Sequence, residues 1–175
     1  ETIHCAAAPL APQTAALEVS LNAQQYTQSS VGYTYYALPA VSLVSPDSGP
    51  TAGHTLVRMH GEGLEAGREH RCSFGATIVP ATLDSLGVSP TLLCLSPASA
   101  VNLTSEGTRN ISLEVAINSQ DYTTSAVAFT YFEAPVVSEL LPPNGIFYGG
   151  TSVVVRGSGL LRTWADLQCK FGNEI

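Results

Sequence analysis

The sequence predicts an all-β chain of tandem sandwich domains, and three observations carry that expectation. A unit of about 96 residues recurs along the chain. Within each unit, apolar and polar residues alternate at the two-residue period of strands with one buried face. No window sustains a helical period, and only the stretch Leu160–Leu167 has room for a helical turn.

The repeat comes first because it fixes the domain phase. Residues 17–41 read LEVSLNAQQYTQSSVGYTYYALPAV, and residues 113–137 read LEVAINSQDYTTSAVAFTYFEAPVV, an offset of 96. The match runs on: VSLVSPDSGPTAGHTLVRMHGEGL at 41–64 returns as VSELLPPNGIFYGGTSVVVRGSGL at 137–160. Cys72-Ser-Phe-Gly75 then returns as Cys169-Lys-Phe-Gly172, shifted by 97. A period this long is that of one immunoglobulin-like sandwich, not of a helical or leucine-rich solenoid. The phase predicts residues 1–38 as the back of one unit, 39–134 as a whole unit, and 135–175 as the front of a third.

Each strand follows from its alternation. Ile111, Leu113, Val115 and Ile117 are expected inside, with Ser112, Glu114, Ala116 and Asn118 outside. Leu17, Val19 and Leu21 repeat that strand in the first unit. Val127, Phe129 and Tyr131 form the inner face of a last strand, as do Val31, Tyr33 and Tyr35 one unit earlier. Val57 and Met59 point in, while Leu56, Arg58 and His60 point out. Between units, Tyr131-Phe-Glu-Ala-Pro135 leaves almost no linker, and Pro39 and Pro135 stiffen the joints by fixing φ.

At this point the residues resemble a known family. The runs SPDSGPTAGHTLVRMHGEGL, CSFG, LLCLSP and LEVAINSQDYTTSAVAFTYF are similar to the IPT/TIG domain. That domain carries Pro-x-x-Gly, a Gly-Gly-Thr turn, a late Cys-x-x-Pro and a terminal Phe-x-Tyr. Departures are small: His54 stands for the second glycine of the turn, and Gly63 and Gly159 stand where Asn is common. The resemblance implies an immunoglobulin-like sandwich of the E-set type. It leaves the role open, because such domains occur in receptor ectodomains, in surface arrays, beside polysaccharide-acting catalytic domains and in transcription factors.

The four cysteines follow the repeat. Cys5 corresponds to Cys94 and Cys169 to Cys72, so the whole unit holds one pair. A disulfide between Cys72 and Cys94 is expected, with Cys5 and Cys169 joining partners outside this segment or on a neighbouring chain. Metal binding is a poor alternative, since there is no C-x-x-C and the four His are scattered. Two sequons, Asn102-Leu-Thr104 and Asn110-Ile-Ser112, are candidates for N-glycosylation, and Ser/Thr clusters for O-glycans. Together these features favour a secreted or cell-surface home.

Other chemistry is hard to find. The balance of 14 acids against 7 scattered bases gives a net charge of −7, which sets nucleic acid aside. No apolar run is long enough to span a membrane. Asp47, Glu62, Ser45 and His54 have no catalytic context, and Gly61-Glu-Gly63 reads as turn or bulge glycines rather than a phosphate loop. Tyr26 and Tyr122 are candidates either for a partner spot or for packing over a sandwich end, and Trp164 for an anchor or local packing. No enzyme, cofactor or metal site is expected.

The first expectation for function is a structural or adhesive array forming a rigid rod, coat or filament, its partners being neighbouring units of the same or adjacent chains. In that frame the chain is either a window on a longer array or a homopolymer subunit completed by its neighbour through Cys169 and Cys5. The alternative is a receptor or adhesin ectodomain, which would show an exposed apolar patch on one unit that the others lack. An accessory region of a polysaccharide-acting enzyme ranks last.

Overall fold

The computed structural model describes residues 1–99, 103–104, 107–160 and 168–174. The candidate helical turn beyond Leu160, Trp164 and Asn102 therefore lie outside the described residues. Among the described residues twelve strands run in order: β1 (Gln13–Leu17), β2 (Val31–Tyr35), β3 (Ala40–Ser45), β4 (Ser48–Pro50), β5 (Leu56–Glu62), β6 (Arg71–Phe74), β7 (Thr77–Asp84), β8 (Thr91–Leu95), β9 (Thr108–Ala116), β10 (Val127–Phe132), β11 (Val136–Leu141) and β12 (Val154–Ser158). The chain is all-β, as its alternation requires.

β1 and β2 form an antiparallel pair, and so do β11 and β12. Between them, β3 to β10 join in the order β3-β5-β8-β7-β6-β9-β10-β4. This ribbon folds into two layers, and β7 is the strand that passes between them. Its first half pairs with β6 and its second half with β8. β4 closes the far side by pairing parallel with β10.

The core sits between the layers. Val57, Met59, Leu92, Leu113, Val115 and Phe129 are wholly buried, each removed from water by the inward half of an alternating strand. Full burial of one such side chain stabilises by about 1.5–3 kcal/mol. Phe129 meets Phe74 and Tyr131 edge to face, at centroid distances of 5.3 and 5.2 Å. The Tyr131 hydroxyl donates to the Pro97 carbonyl at 2.9 Å, and burial pushes its pKa up to about 12. Cys72 of β6 and Cys94 of β8 are joined, with Cα atoms 6.5 Å apart, so the disulfide crosses from one layer to the other.

Two positions differ from the alternation. Ala116 is buried rather than exposed, because the chain turns back over it and Tyr122 bridges to it. Leu21 is fully exposed, whereas its counterpart Ile117 is fully buried. β1 ends at Leu17, and no second layer packs on the β1–β2 pair among the described residues.

The repeat extends to backbone geometry. Gly61 faces a bulge in β3 between Val41 and Leu43, and a Cβ there would lie 1.9 Å from the Ala40 carbonyl oxygen. Gly157 faces the matching bulge in β11, with the same 1.9 Å to the Val136 oxygen. These are bulge glycines, in keeping with their spacing. His54 has φ +64° where its counterpart Gly150 has +79°, so the departure from Gly-Gly-Thr keeps the left-handed turn.

Candidate protein-binding face

The outer face of β3, β5 and β8 carries the most unusual surface of the middle unit. Strand pairing places Leu56 directly beside Leu95, Arg58 beside Leu93, and His60 between Leu43 and Thr91. Leu43, Leu56 and Leu95 are 57%, 53% and 54% exposed. The β7–β8 hairpin tip adds Leu86 and Val88, which are fully exposed. A shallow pocket of about 320 Å³ lies between tip and face, lined by Arg58, His60, Asp84, Val88, Ser89 and Thr91.

Asp84 organises this end. Its carboxylate accepts from the Leu86 backbone N–H at 3.1 Å and from Arg58 Nη1 at 2.9 Å. These two contacts, the backbone one first, hold its pKa below the usual carboxylate value. The pair is half exposed, so it fixes geometry more than it adds stability.

The other units do not repeat the face. Glu139 stands where Leu43 does and forms an ion pair at 3.0 Å with Arg156, the counterpart of His60. Ser152 replaces Leu56, and Ala6 replaces Leu95.

The residues singled out in the sequence fall elsewhere. Cys72 and Cys94 are paired in the core, and Cys5 and Cys169 are exposed and unpaired within the chain. Asn110 is exposed on β9, in the opposite layer, where its Oδ1 accepts from Thr130 Oγ1 at 2.8 Å. Tyr122 lies at the end of the sandwich that meets β2, while Tyr26 is exposed. Among the described residues, no group of three or more His, Cys, Asp or Glu is placed to hold a metal. No helix of the described residues is long and apolar enough to cross a membrane.

Sequence reasoning misses two features. It does not put Leu43 and Leu95 on an outer face, although the contrast with Glu139 and Ala6 is readable from the repeat. Alternation puts Glu114 in solvent, but its carboxylate accepts from Thr123 Oγ1 and from the backbone N–H groups of Ser125 and Ala126. Glu18 does the same with Thr27, Ser29 and Ser30, and these bonds hold its pKa down, the Thr27 bond most. The recurring Glu with Thr or Ser nine to twelve residues on is the available signal.

The fold and its repeated turns define a tandem β-sandwich module. The IPT/TIG domain model matches residues 39–131 and 135–174, and the chain belongs to that family. It is 30% identical to Plexin-A3 of Rattus norvegicus over 142 residues, covering 77% of this chain and 7% of that protein. It is 31% identical to Plexin A3 of Danio rerio over 143 residues, covering 80% of this chain and again 7% of the relative. Among solved structures it is similar to the full extracellular region of Plexin A4, with a TM-score of 0.50 and 24% identity, over 74% of this chain and 10% of that one. The plexin matches and the inter-layer disulfide place the chain outside the cell or at its surface.

Proposed function

We propose that this chain is a non-catalytic part of a receptor ectodomain and binds a protein partner through the outer face of β3, β5 and β8. The observation that carries the reading is the set Leu43, Leu56 and Leu95, exposed on one unit and replaced by Glu139, Ser152 and Ala6 in the others. A structural unit needs only a soluble exterior, so leucines exposed on this outer face and replaced at the corresponding positions of the other units point to a contact. Similarity to plexins favours this reading over the rod, coat or filament expected first. Asn110 supports it further: a glycan there would cover the opposite layer and leave the leucine face bare.

The test is binding by the 175-residue chain, displayed as a multimer against a library of extracellular proteins. Leu56→Asp and Leu95→Asp should abolish binding to the partner found, and Arg109→Asp, exposed on β9 of the opposite layer, should not. Binding that survives both leucine substitutions, or falls equally with Arg109→Asp, refutes the face.

A further inference from the structure

The end of the middle unit that meets residues 1–38 is held by a chain of hydrogen bonds with a carboxylate at its centre. Glu114 on β9 accepts from Ser125 N at 3.0 Å and from Ala126 N at 2.7 Å, which fixes the return of the 118–126 loop. Ala126 sits at φ +52°, a left-handed conformation that a free alanine disfavours. Ser125 in turn accepts, through Oγ, from the backbone N–H of Val41 at 3.1 Å. Val41 is two residues beyond Pro39, so this bond ties the loop to the strand that leaves the joint.

The front of the same loop is turned toward the first unit. Asn118 Oδ1 accepts from the N–H groups of Gln120 and Asp121, and Asn118 Nδ2 donates to Asp121 Oδ2 at 2.8 Å. Loop and first unit share a cleft, where Tyr36 and Leu38 face Asn118, Gln120, Asp121 and Tyr122. The hydroxyls of Tyr36 and Tyr122 are both buried there, with no hydrogen-bond partner among the described residues. Asp121 lines the same cleft as Tyr36, and burial, and after it the Asp121 carboxylate, raise the Tyr36 pKa.

We infer that Glu114 is the positioning residue of this joint: by holding the 118–126 loop it sets the angle at which residues 1–38 meet the middle unit. Glu114 holds the Ser125 backbone and Ser125 Oγ holds Val41, so the loop cannot shift without releasing Val41. The cleft then offers Tyr36 and Leu38 one fixed seat instead of a moving one. Glu18 makes the same clasp in the first unit, but its loop, residues 22–30, does not line this cleft. It is a matched control with the same chemistry away from the joint.

The experiment is a distance distribution from pulsed electron resonance on the 175-residue chain. Spin labels go on the exposed positions Gln13 and Arg109, with Cys5 and Cys169 replaced by serine. The unsubstituted background should give a narrow distribution. Glu114→Gln should broaden it while the middle unit stays folded by near-ultraviolet circular dichroism, and Glu18→Gln should leave it narrow. A narrow distribution in Glu114→Gln overturns the inference, and so does equal broadening in Glu18→Gln. Should Glu114→Gln unfold the middle unit, Ser125→Ala carries the test, because it cuts only the tie to Val41. Broadening then supports the assignment and an unchanged width refutes it.

Discussion

Reducing the Cys72–Cys94 bond perturbs the middle unit while leaving every side chain in place. The two cysteines are 22 residues apart in sequence, and both are buried. Closing a loop of that length removes chain entropy from the unfolded state worth about 3 kcal/mol at 25 °C. Reduction should restore that entropy and lower the stability of the unit by the same amount. The reduced protein keeps its sulfurs, so no cavity term enters and the loop term is read alone. Urea unfolding, with and without reductant, is the assay, after Cys5 and Cys169 have been alkylated to prevent exchange. For a urea slope of about 1–3 kcal/mol per molar, the midpoint should fall by about 1–3 M. Thiol titration before and after reduction checks that the bond itself was broken. A loss under about 1 kcal/mol with the thiols fully released would refute the loop-entropy argument.

Three further outcomes follow from single residues. Gly61→Ala places a Cβ 1.9 Å from the Ala40 oxygen and should lower stability by about 3 kcal/mol or more in thermal melts; Gly87→Ala, whose nearest neighbour is 3.5 Å away, should change it by less than about 0.5 kcal/mol. Tyr131 has a folded pKa of about 12 against 10.0 for a free phenol, so its contribution is complete below pH 10 and is lost as pH rises toward 12. Denaturant midpoints should therefore fall across that alkaline range, and Tyr131→Phe should remove part of the fall while costing about 1 kcal/mol at neutral pH for the lost bond to Pro97. Asp84 has a lowered pKa, so its hold on the hairpin tip is present above the normal carboxylate value and is lost as pH falls through its own. Asp84→Asn should lower the protection of the Leu86 amide against hydrogen exchange at neutral pH, and acid should lower it in the unsubstituted chain, once each rate is divided by the intrinsic rate at that pH.

Much of the fold was legible because one period organises it. Val57 and Met59 could be assigned inward, and Cys72 could be paired with Cys94, because each element had a second copy to align against. The glycine at the bulge was legible for the same reason, since Gly61 and Gly157 occupy equivalent positions of β5 and β12. What escaped depends on contacts that alternation does not encode. Ala116 is buried by a turn that folds back after the strand, not by strand parity. Glu114 looks like a solvated strand residue until the loop nine to twelve residues later is seen to close on it. The leucine face was hardest, since alternation turned only Leu56 outward and left Leu43 and Leu95 unassigned. Only its pairing with an outward neighbour, Leu56 beside Leu95, assigns it to the surface.

The crossing strand and the staple beside it also govern how the protein bears load. Cys72 and Cys94 enclose β7 together with its hairpin tip. When tension is applied between Pro39 and Pro135, it must travel through the sulfurs, and residues 73–93 between them are bypassed. An oxidised unit torn open would thus withhold about 75 Å of contour from the extended tether, at roughly 3.4 Å per residue. The redox state of one bond thereby sets how far the stretched middle unit can lengthen.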